Sequence, residues 1–226
     1  MAESKKYKLT YFDMPARAEP HRLAFWIGKI DFEDERVEFK DWPKLKPTTP
    51  FGSLPLLTLP DGDIGNQGRA MARFIGKKTG LYPDDAVQAM HVDEILDTCE
   101  DLQSAVNSAG KGLEKAEKEK KRVEAVTTGK GALILKSIEA FIKKHGKEGH
   151  AVGEKLTIAD LYLFSFMTMA VSGFFDGIPK DLLKDYPSIQ AVRKTVATHP
   201  SVVERYKAEK SANPVFKVFA AVGASL

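Results

Sequence analysis

PFGSLPLLTLPDGDIGNQGRAMARFIG, residues 50 to 76, is the stretch that decides the fold. Its first half predicts a β-hairpin, because an apolar run from Leu54 to Leu59 leads into an Asp61-Gly62 turn signal and a second short strand begins at Ile64. Its second half predicts a helix after Gly68, because apolar residues recur there at helical spacing.

The polar turn before this helix, Asn66-Gln67-Gly68, predicts an anion-binding position. The first N–H groups of a helix lack partners within it, and together with the helix dipole they favour a carboxylate. The Gln67 amide can add a side-chain contact. For this turn taken alone, an ordinary loop is the alternative.

The composition is that of a globular protein: 226 residues, 43% apolar and 29% charged, are enough for one large domain or two modest ones. The 34 basic and 31 acidic residues are interspersed and leave a net charge of +3, so we expect no nucleic-acid or membrane partner. A single cysteine, Cys99, excludes an intramolecular disulfide and a CxxC pair.

Targeting signals are not apparent in the sequence. Met1 to Lys8 is polar, no run approaches the ~18 apolar residues of a membrane span, and Ala224-Ser225-Leu226 has no basic middle residue. We therefore expect a cytoplasmic protein, in which a lone thiol stays reduced.

Residues 1–80 predict an α/β, thioredoxin-like domain with the order βαβ then ββα. Tyr7 to Phe12 is rich in strand formers, a helical pattern runs from Arg17 to Gly28, and Phe32 to Phe39 reads as an edge strand parallel to the first. Trp42 to Thr49, with two prolines, predicts a loop.

Beyond residue 80 strand signals vanish, which predicts an all-α domain over residues 81–226. Helical patterns occupy a stretch up to about Ser108, then Leu133 to His145, and stretches that begin at Pro187 and Pro200. Lys111 to Arg122 interleaves lysines with glutamates and predicts a solvated helix rather than a nucleic-acid surface.

The strongest helix signal in the second half is Thr157 as an N-cap with Asp160 three residues later. The helix that follows is almost entirely apolar and should form the centre of the helical domain. The tail from Val215 to Phe219 either covers a substrate pocket or packs elsewhere.

The motifs LTYF, RAEPHR, DW, PFGSLP, VDEILDTCEDL and LTIADLYLF, in this order, resemble those of sigma-class glutathione transferases over nearly the whole chain. The class also holds glutathione-dependent prostaglandin D synthases and S-crystallins. The resemblance implies a homodimeric detoxification enzyme that takes glutathione as its co-substrate and requires no metal. It would conjugate the thiolate to small hydrophobic electrophiles, or isomerise or reduce lipid-derived ones.

The resemblance assigns catalysis to Tyr11, whose hydroxyl would donate to the glutathione sulfur and favour the thiolate. A thiol of pKa about 8.5 is under roughly 10% ionised at neutral pH, and lowering its pKa by about two units, worth ~2.7 kcal/mol, makes it predominantly ionised. Arg17 would add positive potential. Tyr7 is the alternative tyrosine, but only Tyr11 ends the strand, where ligands gather in open α/β sheets.

The resemblance assigns glutathione contacts to eight positions: Trp42, Lys46, Ser53, Leu54, Pro55, Gln67, Gly68 and Asp101. Trp42 and Lys46 would hold the glycyl carboxylate, and Leu54, beside a cis-proline, would bind the cysteinyl unit through its backbone. Ser53 replaces the longer Gln or Lys of the family pattern, and Gly68 replaces its serine. These two departures predict weaker glutathione binding.

On the long helix, Asp101 would reach the γ-glutamyl ammonium of a neighbouring subunit. Asp97, Glu100 and Asp101 also resemble an acidic cluster that binds a divalent ion in some relatives. A charged helix face is the preferred interpretation, so no metal site is predicted. Phe51 occupies the position from which related classes insert an aromatic side chain into the partner subunit.

The hydrophobic electrophile would lie against four residues: Phe12, Met14, Ser104 and Ser108. The same residue types fit a protein core equally well. Two other functions remain open. One is a binding or structural protein with the same fold, which the departures at Ser53 and Gly68 favour. The other is a nucleic-acid module, which the mixed charges disfavour and salt-dependent RNA binding would support.

Overall fold

In the computed structural model, which describes residues 6–225, four strands form one mixed sheet. They are β1 (Tyr7–Phe12), β2 (Phe32–Val37), β3 (Leu56–Thr58) and β4 (Ile64–Asn66). The order is β2-β1-β3-β4, with β1 parallel to β2 and β3 antiparallel to both β1 and β4. The predicted parallel crossover and hairpin are confirmed. Residues 1–5 and Leu226, on which part of the targeting prediction rests, lie outside the described residues.

Most of the helices lie where a helical pattern was predicted, but those over Trp42–Leu45 and Pro214–Ser225 were not expected. The helices are α1 (Glu19–Ile27), α2 (Trp42–Leu45), α3 (Gly68–Thr79), α4 (Ala86–Ser108), α5 (Lys115–Thr127), α6 (Lys130–His145), α7 (Ile158–Val171), α8 (Pro187–Thr198), α9 (Pro200–Lys207) and α10 (Pro214–Ser225). The α/β part followed by an all-helical part is therefore confirmed, while a domain boundary at residue 80 stays a prediction. None of the helices within residues 6–225 is long and apolar enough to cross a bilayer.

Two local predictions were wrong. The expected loop from Trp42 to Thr49 contains α2 and a 3-10 turn, Lys46–Thr48. Each proline of this segment sits in the first turn of a short helix, where a missing N–H is tolerated. The second strand ends at Val37 rather than Phe39, because its pairing with β1 ends with the Phe12–Val37 pair, at the last residue of β1.

The centre of the helical part is α7, which is buried from Ile158 to Ala170. Its capping box is present as predicted: the Asp160 carboxylate accepts from the Thr157 backbone N–H at 2.7 Å, and also from the Ala151 N–H at 2.6 Å. Because these bonds lie in the interior, they anchor the start of α7 to the loop before it.

The tail forms α10, which packs against α7, α8 and α9. The side chains of Phe216 and Phe219 are buried there. The C-terminal segment is therefore a packed part of the helical core.

Candidate active site

The turn that follows β1 brings Tyr11 and Arg17 together. Tyr11 is only 6% exposed, and burial raises the pKa of its hydroxyl, while the Arg17 backbone N–H and the Arg17 and Arg22 charges oppose that rise. A raised pKa keeps the hydroxyl protonated at neutral pH, so Tyr11 remains a hydrogen-bond donor.

The start of the hairpin is held by Asn66, at the end of β4. Its amide nitrogen donates to the Ser53 carbonyl at 3.1 Å and to the Pro55 carbonyl at 2.9 Å, and its amide oxygen accepts from the Ser53 hydroxyl at 3.1 Å. The Leu54–Pro55 peptide bond is cis, as the resemblance implied. These bonds fix the backbone around Leu54 at the rim of a cavity.

The residue before α3 has an uncommon backbone conformation. Gln67 has a φ of 73°, which residues with a β-carbon rarely adopt, whereas Gly68 is the first residue of α3. Such conformations concentrate at functional sites, where the surrounding structure maintains them. The turn therefore aims the first N–H groups of α3 in a fixed direction.

A cavity of about 70 Å³ opens between this turn, the hairpin, and helices α4 and α7. It is lined by six of the predicted residues: Arg17, Ser53, Leu54, Pro55, Gln67 and Gly68. Arg69, Glu100 and Tyr162 complete the lining. At ~30 Å³ per water, this volume takes one charged end of an extended molecule rather than a whole tripeptide.

The charges around the cavity have both signs. Arg17 forms an ion pair with Glu100 across it, and Arg69 pairs with Asp97 at 2.6 Å. The arginines and the start of α3 favour a carboxylate, whereas Glu100 favours an ammonium group. This arrangement suits the zwitterionic end of an amino acid.

Two carboxylates of the predicted acidic cluster are thus bound by arginines within the same chain. Asp101 itself is exposed on α4 and does not line this cavity. Its contact with a neighbouring subunit stays a prediction.

Trp42 and Lys46 are not among the residues that line this cavity. Trp42 begins α2 and packs edge-on against Phe12, with ring centroids 5.9 Å apart. The Lys46 stem passes close to Gly52, because a β-carbon there would lie 3.6 Å from Lys46 Cε. The Lys46 ammonium is therefore next to the loop that carries Ser53.

The residues predicted for the electrophile pocket differ in exposure. Phe12 is half-buried, and its ring lies 5.4 Å from that of Tyr11, whereas Met14 is buried in the core. Ser104 and Ser108 are exposed on α4, one turn apart, with the Ser108 hydroxyl donating to the Ser104 carbonyl at 2.7 Å. Their meeting with Phe12 stays a prediction.

Several residues of the site were missed by the sequence analysis. Tyr162, on α7, lines the cavity, and its hydroxyl in a largely apolar helix is the sequence feature that could have indicated this. Phe39 is 69% exposed and stacks on Phe12 at 4.4 Å, so the two rings extend an apolar wall beside Tyr11. Asn66 precedes Gln67 directly, but no local pattern marks it as the residue that binds the hairpin start.

His21 was also missed. It is 1% exposed, and its Nε2 donates to the Gly68 carbonyl at 2.8 Å, which joins α1 to the first residue of α3. Burial lowers its pKa from 6.5 to about 4, so the ring is neutral at physiological pH. A carbonyl oxygen can only accept, which places the ring proton on Nε2.

Comparison with known proteins gives the family. Residues 100–210 match the model described as "Glutathione S-transferase, C-terminal domain". The chain is 35% identical over 196 residues to hematopoietic prostaglandin D synthase of Gallus gallus, covering 87% of this chain and 92% of that protein. It is 33% identical over 211 residues to the class-mu 28 kDa glutathione S-transferase isozyme of Schistosoma japonicum, covering 91% and 98%.

Among solved structures, prostaglandin synthase D of Nilaparvata lugens matches with a TM-score of 0.81 at 28% identity, covering 91% of this chain and 99% of that one. The similarity thus extends over both the α/β part and the helical part. The chain belongs to the glutathione S-transferase family and is a transferase.

Proposed function

We propose that this chain is a sigma-class glutathione transferase that uses Tyr11 to ionise the glutathione thiol and transfers the thiolate to small hydrophobic electrophiles, or isomerises or reduces lipid-derived ones. The observation that carries the proposal is the buried Tyr11, whose hydroxyl stays protonated beside Arg17, a residue that lines a cavity suited to a zwitterion. The named activities of the relatives support the reaction class.

The chemical role of Tyr11 follows from its protonation. A phenol with a raised pKa donates its O–H to the sulfur without losing the proton, so it stabilises the thiolate more than the thiol. The thiol proton leaves to water. The thiolate then forms a bond to the electrophilic carbon, and a leaving group departs with its electron pair when a substitution takes place.

The rest of glutathione would be held along the hairpin. The N–H groups at the start of α3 and Gln67 bind the γ-glutamyl carboxylate, and Glu100 attracts the ammonium group. The Leu54 backbone, held by Asn66, pairs with the cysteinyl unit. Ser53 and Pro55 keep this strand entrance in place, while Trp42 and Lys46 bind the glycyl carboxylate.

The electrophile would lie against the aromatic wall beside Tyr11. Phe12, Phe39 and Trp42 are mutually packed, with Phe39 largely exposed. Exposed stacked rings favour flat or extended apolar molecules. Met14, Ser104 and Ser108 would complete this pocket.

We also propose a homodimer in which Asp101 completes the partner's site. Phe51 is 68% exposed, and a cavity of about 300 Å³ lies between α4 and α6, lined by Ile95, Ile138 and Phe141 among others. The exposed aromatic side chain of Phe51, and a cavity whose apolar side chains lie among Glu94, Asp97, Thr98 and Ser137, favour insertion of Phe51 into a second copy. Light scattering of the purified protein tests this: a monomer mass at micromolar concentration would contradict it.

A binding or structural protein is the second candidate, for one specific reason. The Ser53 hydroxyl is bonded to Asn66, and Gly68 has no hydroxyl, so two contacts to glutathione that the family pattern provides are missing here.

A cytoplasmic, detoxifying role without a nucleic-acid partner accords with the family and with the mixed surface charge.

Glutathione-affinity retention, followed by turnover with a generic aryl halide, separates the two candidates. The enzyme should be retained, eluted by free glutathione, and active, and Tyr11→Phe should be retained but slow. Retention without turnover in the wild type would favour a binding protein. No retention and no calorimetric signal with millimolar glutathione would overturn both glutathione-dependent candidates.

A further inference from the structure

The loop that follows Tyr11 is held by the C-terminal end of the chain. The Ser211 hydroxyl donates to Asp13 Oδ2 at 2.9 Å, and the Asn213 side-chain amide donates to the Asp13 carbonyl at 2.8 Å. Asp13 lies two residues after Tyr11, whereas Ser211 and Asn213 lie between α9 and α10. The helical part of the protein thus directly contacts the loop that runs from Tyr11 to Arg17.

Arg36, on β2, connects the same loop to Glu209. Its Nη1 donates to Asp13 Oδ1 at 2.8 Å and to Glu209 Oε1 at 2.7 Å, and its Nη2 donates to Glu209 Oε2 at 2.9 Å and to Asp34 Oδ2 at 2.8 Å. Although burial acts to raise the pKa of Glu209, the bonds from Arg36, Ser211 and Arg205 lower it to about 2. The carboxylate is therefore charged at any pH near neutrality, so its ion pair with Arg36 persists over that range.

Phe216, in the first turn of α10, covers these charges. Its ring lies 5.0 Å from the Arg36 guanidinium carbon, 5.8 Å from that of Arg22 and 5.7 Å from that of Arg205. The ring is 2% exposed. A buried aromatic face excludes water from the ion pairs and strengthens them.

The loop itself needs such support. Ala16 has a φ of 40°, a conformation that residues with a β-carbon keep only when their surroundings impose it. On the inner side, the Arg22 guanidinium donates to the Met14 carbonyl at 2.8 Å and to Asp34 at 2.9 Å. The C-terminal segment binds Asp13, so contacts from both α1 and the C-terminal segment hold the loop in place.

The position of this loop affects the environment of Tyr11, because the loop runs from Tyr11 to Arg17, which lines the cavity and whose charge acts on the Tyr11 hydroxyl. We propose that the segment Glu209–Asn213, acting through Asp13 and Arg36, is a positioning device that keeps Arg17 beside the Tyr11 hydroxyl and so tunes thiol activation from the helical domain. The inference rests on the proposed function. Ser211 and Asn213 are positioning residues, since they reach the site only through the loop.

The test replaces both donors at once, Ser211→Ala with Asn213→Ala. The matched control is Ser172→Ala with Thr198→Ala, which removes side-chain to backbone bonds at the ends of α7 and α8. Thiolate absorbance of bound glutathione against pH, kcat, KM for glutathione and thermal melting are measured for each. We expect the bound thiol's pKa to rise by about 0.5 to 1 unit and kcat below pH 7 to fall by about three- to tenfold, with KM nearly unchanged. Ser211→Thr, which keeps the hydroxyl, should recover most of this loss.

A readout without glutathione separates this inference from the proposed function. In protein with carbon-labelled tyrosine, the Tyr11 ζ-carbon NMR resonance, assigned by its loss in Tyr11→Phe, should move in the loop variant and stay in the control. An unmoved resonance, or a thiol pKa and kcat equal to those of the control at equal melting temperature, would overturn the positioning role. Wild type that fails to ionise glutathione would instead overturn the proposed function, whatever the resonance does.

Discussion

The Tyr162 hydroxyl oxygen lies 3.3 Å from the point where a β-carbon on Gly68 would stand. The left-handed backbone conformation belongs to the neighbouring Gln67, not to Gly68, so the backbone at 68 accepts a side chain. A side chain at position 68 is limited only by the Tyr162 hydroxyl, which would have to move by a few tenths of an ångström to make room for a β-carbon. The glycine therefore marks a contact between α3 and α7 rather than a strained turn.

Gly68→Ser should tighten glutathione binding. A restored hydroxyl gives a hydrogen bond to the γ-glutamyl carboxylate worth roughly 1.5 to 3 kcal/mol, or about 10- to 150-fold in affinity. Calorimetric titration and melting curves measure both effects. Gly68→Ala is the matched control, since it adds the same β-carbon without the hydroxyl. Equal affinity of the serine and alanine variants at wild-type stability would show that position 68 makes no such bond.

If the β-carbon crowds Tyr162, both variants should lose stability together. Combining Gly68→Ser with Tyr162→Phe removes the crowding hydroxyl and should then restore the melting temperature. Failure to restore it would place the strain elsewhere in the turn.

Mixed dimers test whether Asp101 acts across the subunits. Asp101→Asn should weaken glutathione binding but leave the thiol's pKa nearly unchanged, because its proposed contact is with the γ-glutamyl end. A Tyr11→Phe subunit paired with an Asp101→Asn subunit should contain one intact site and show about half of wild-type activity. Asp97→Asn in place of Asp101→Asn serves as control, since Asp97 pairs with Arg69 in its own chain. A heterodimer no more active than the mutant homodimers would rule out a shared site.

His21 should make the fold sensitive to acid. Its pKa is lowered by burial from 6.5 to about 4 in the folded protein, so between these values the unfolded chain binds a proton that the folded chain does not. Stability is therefore present above pH 6.5 and is lost as pH falls toward 4, by about 3 kcal/mol in total.

His21→Gln keeps a donor for the Gly68 carbonyl but cannot titrate. Urea unfolding at several pH values should show the wild type losing more stability than this variant over the interval, with the two curves parallel above pH 7 and below pH 4. Parallel curves over the whole range would contradict the assignment.

Local chemistry explains which parts of the structure the sequence predicts. The end of β1 at Phe12, the Thr157–Asp160 capping box and the glutamine before α3 each depend on a few adjacent residues. The helical turn from Trp42 was missed because prolines signal loops as readily as first turns of helices.

Contacts between distant residues were out of reach. Tyr162 meets Gly68, and Ser211 meets Asp13, only after the helical part has packed against the sheet, and such pairs leave no spacing pattern in the chain. The same reason applies to Phe39, which extends the aromatic wall because the strand ends before it and leaves its ring beside Phe12.

Ultraviolet thiolate absorbance of the glutathione complex against pH measures most directly whether Tyr11 ionises the bound thiol. The thiol should titrate about two units below its usual pKa of about 8.5 in the wild type and return toward it in Tyr11→Phe, which should cut turnover at neutral pH by roughly 10- to 100-fold. Tyr7→Phe is the control, because the Tyr7 ring packs against Phe25 and Phe74 instead. A bound thiol with an unshifted pKa in the wild type, or a shift that survives in Tyr11→Phe but is lost in Tyr7→Phe, would contradict the account.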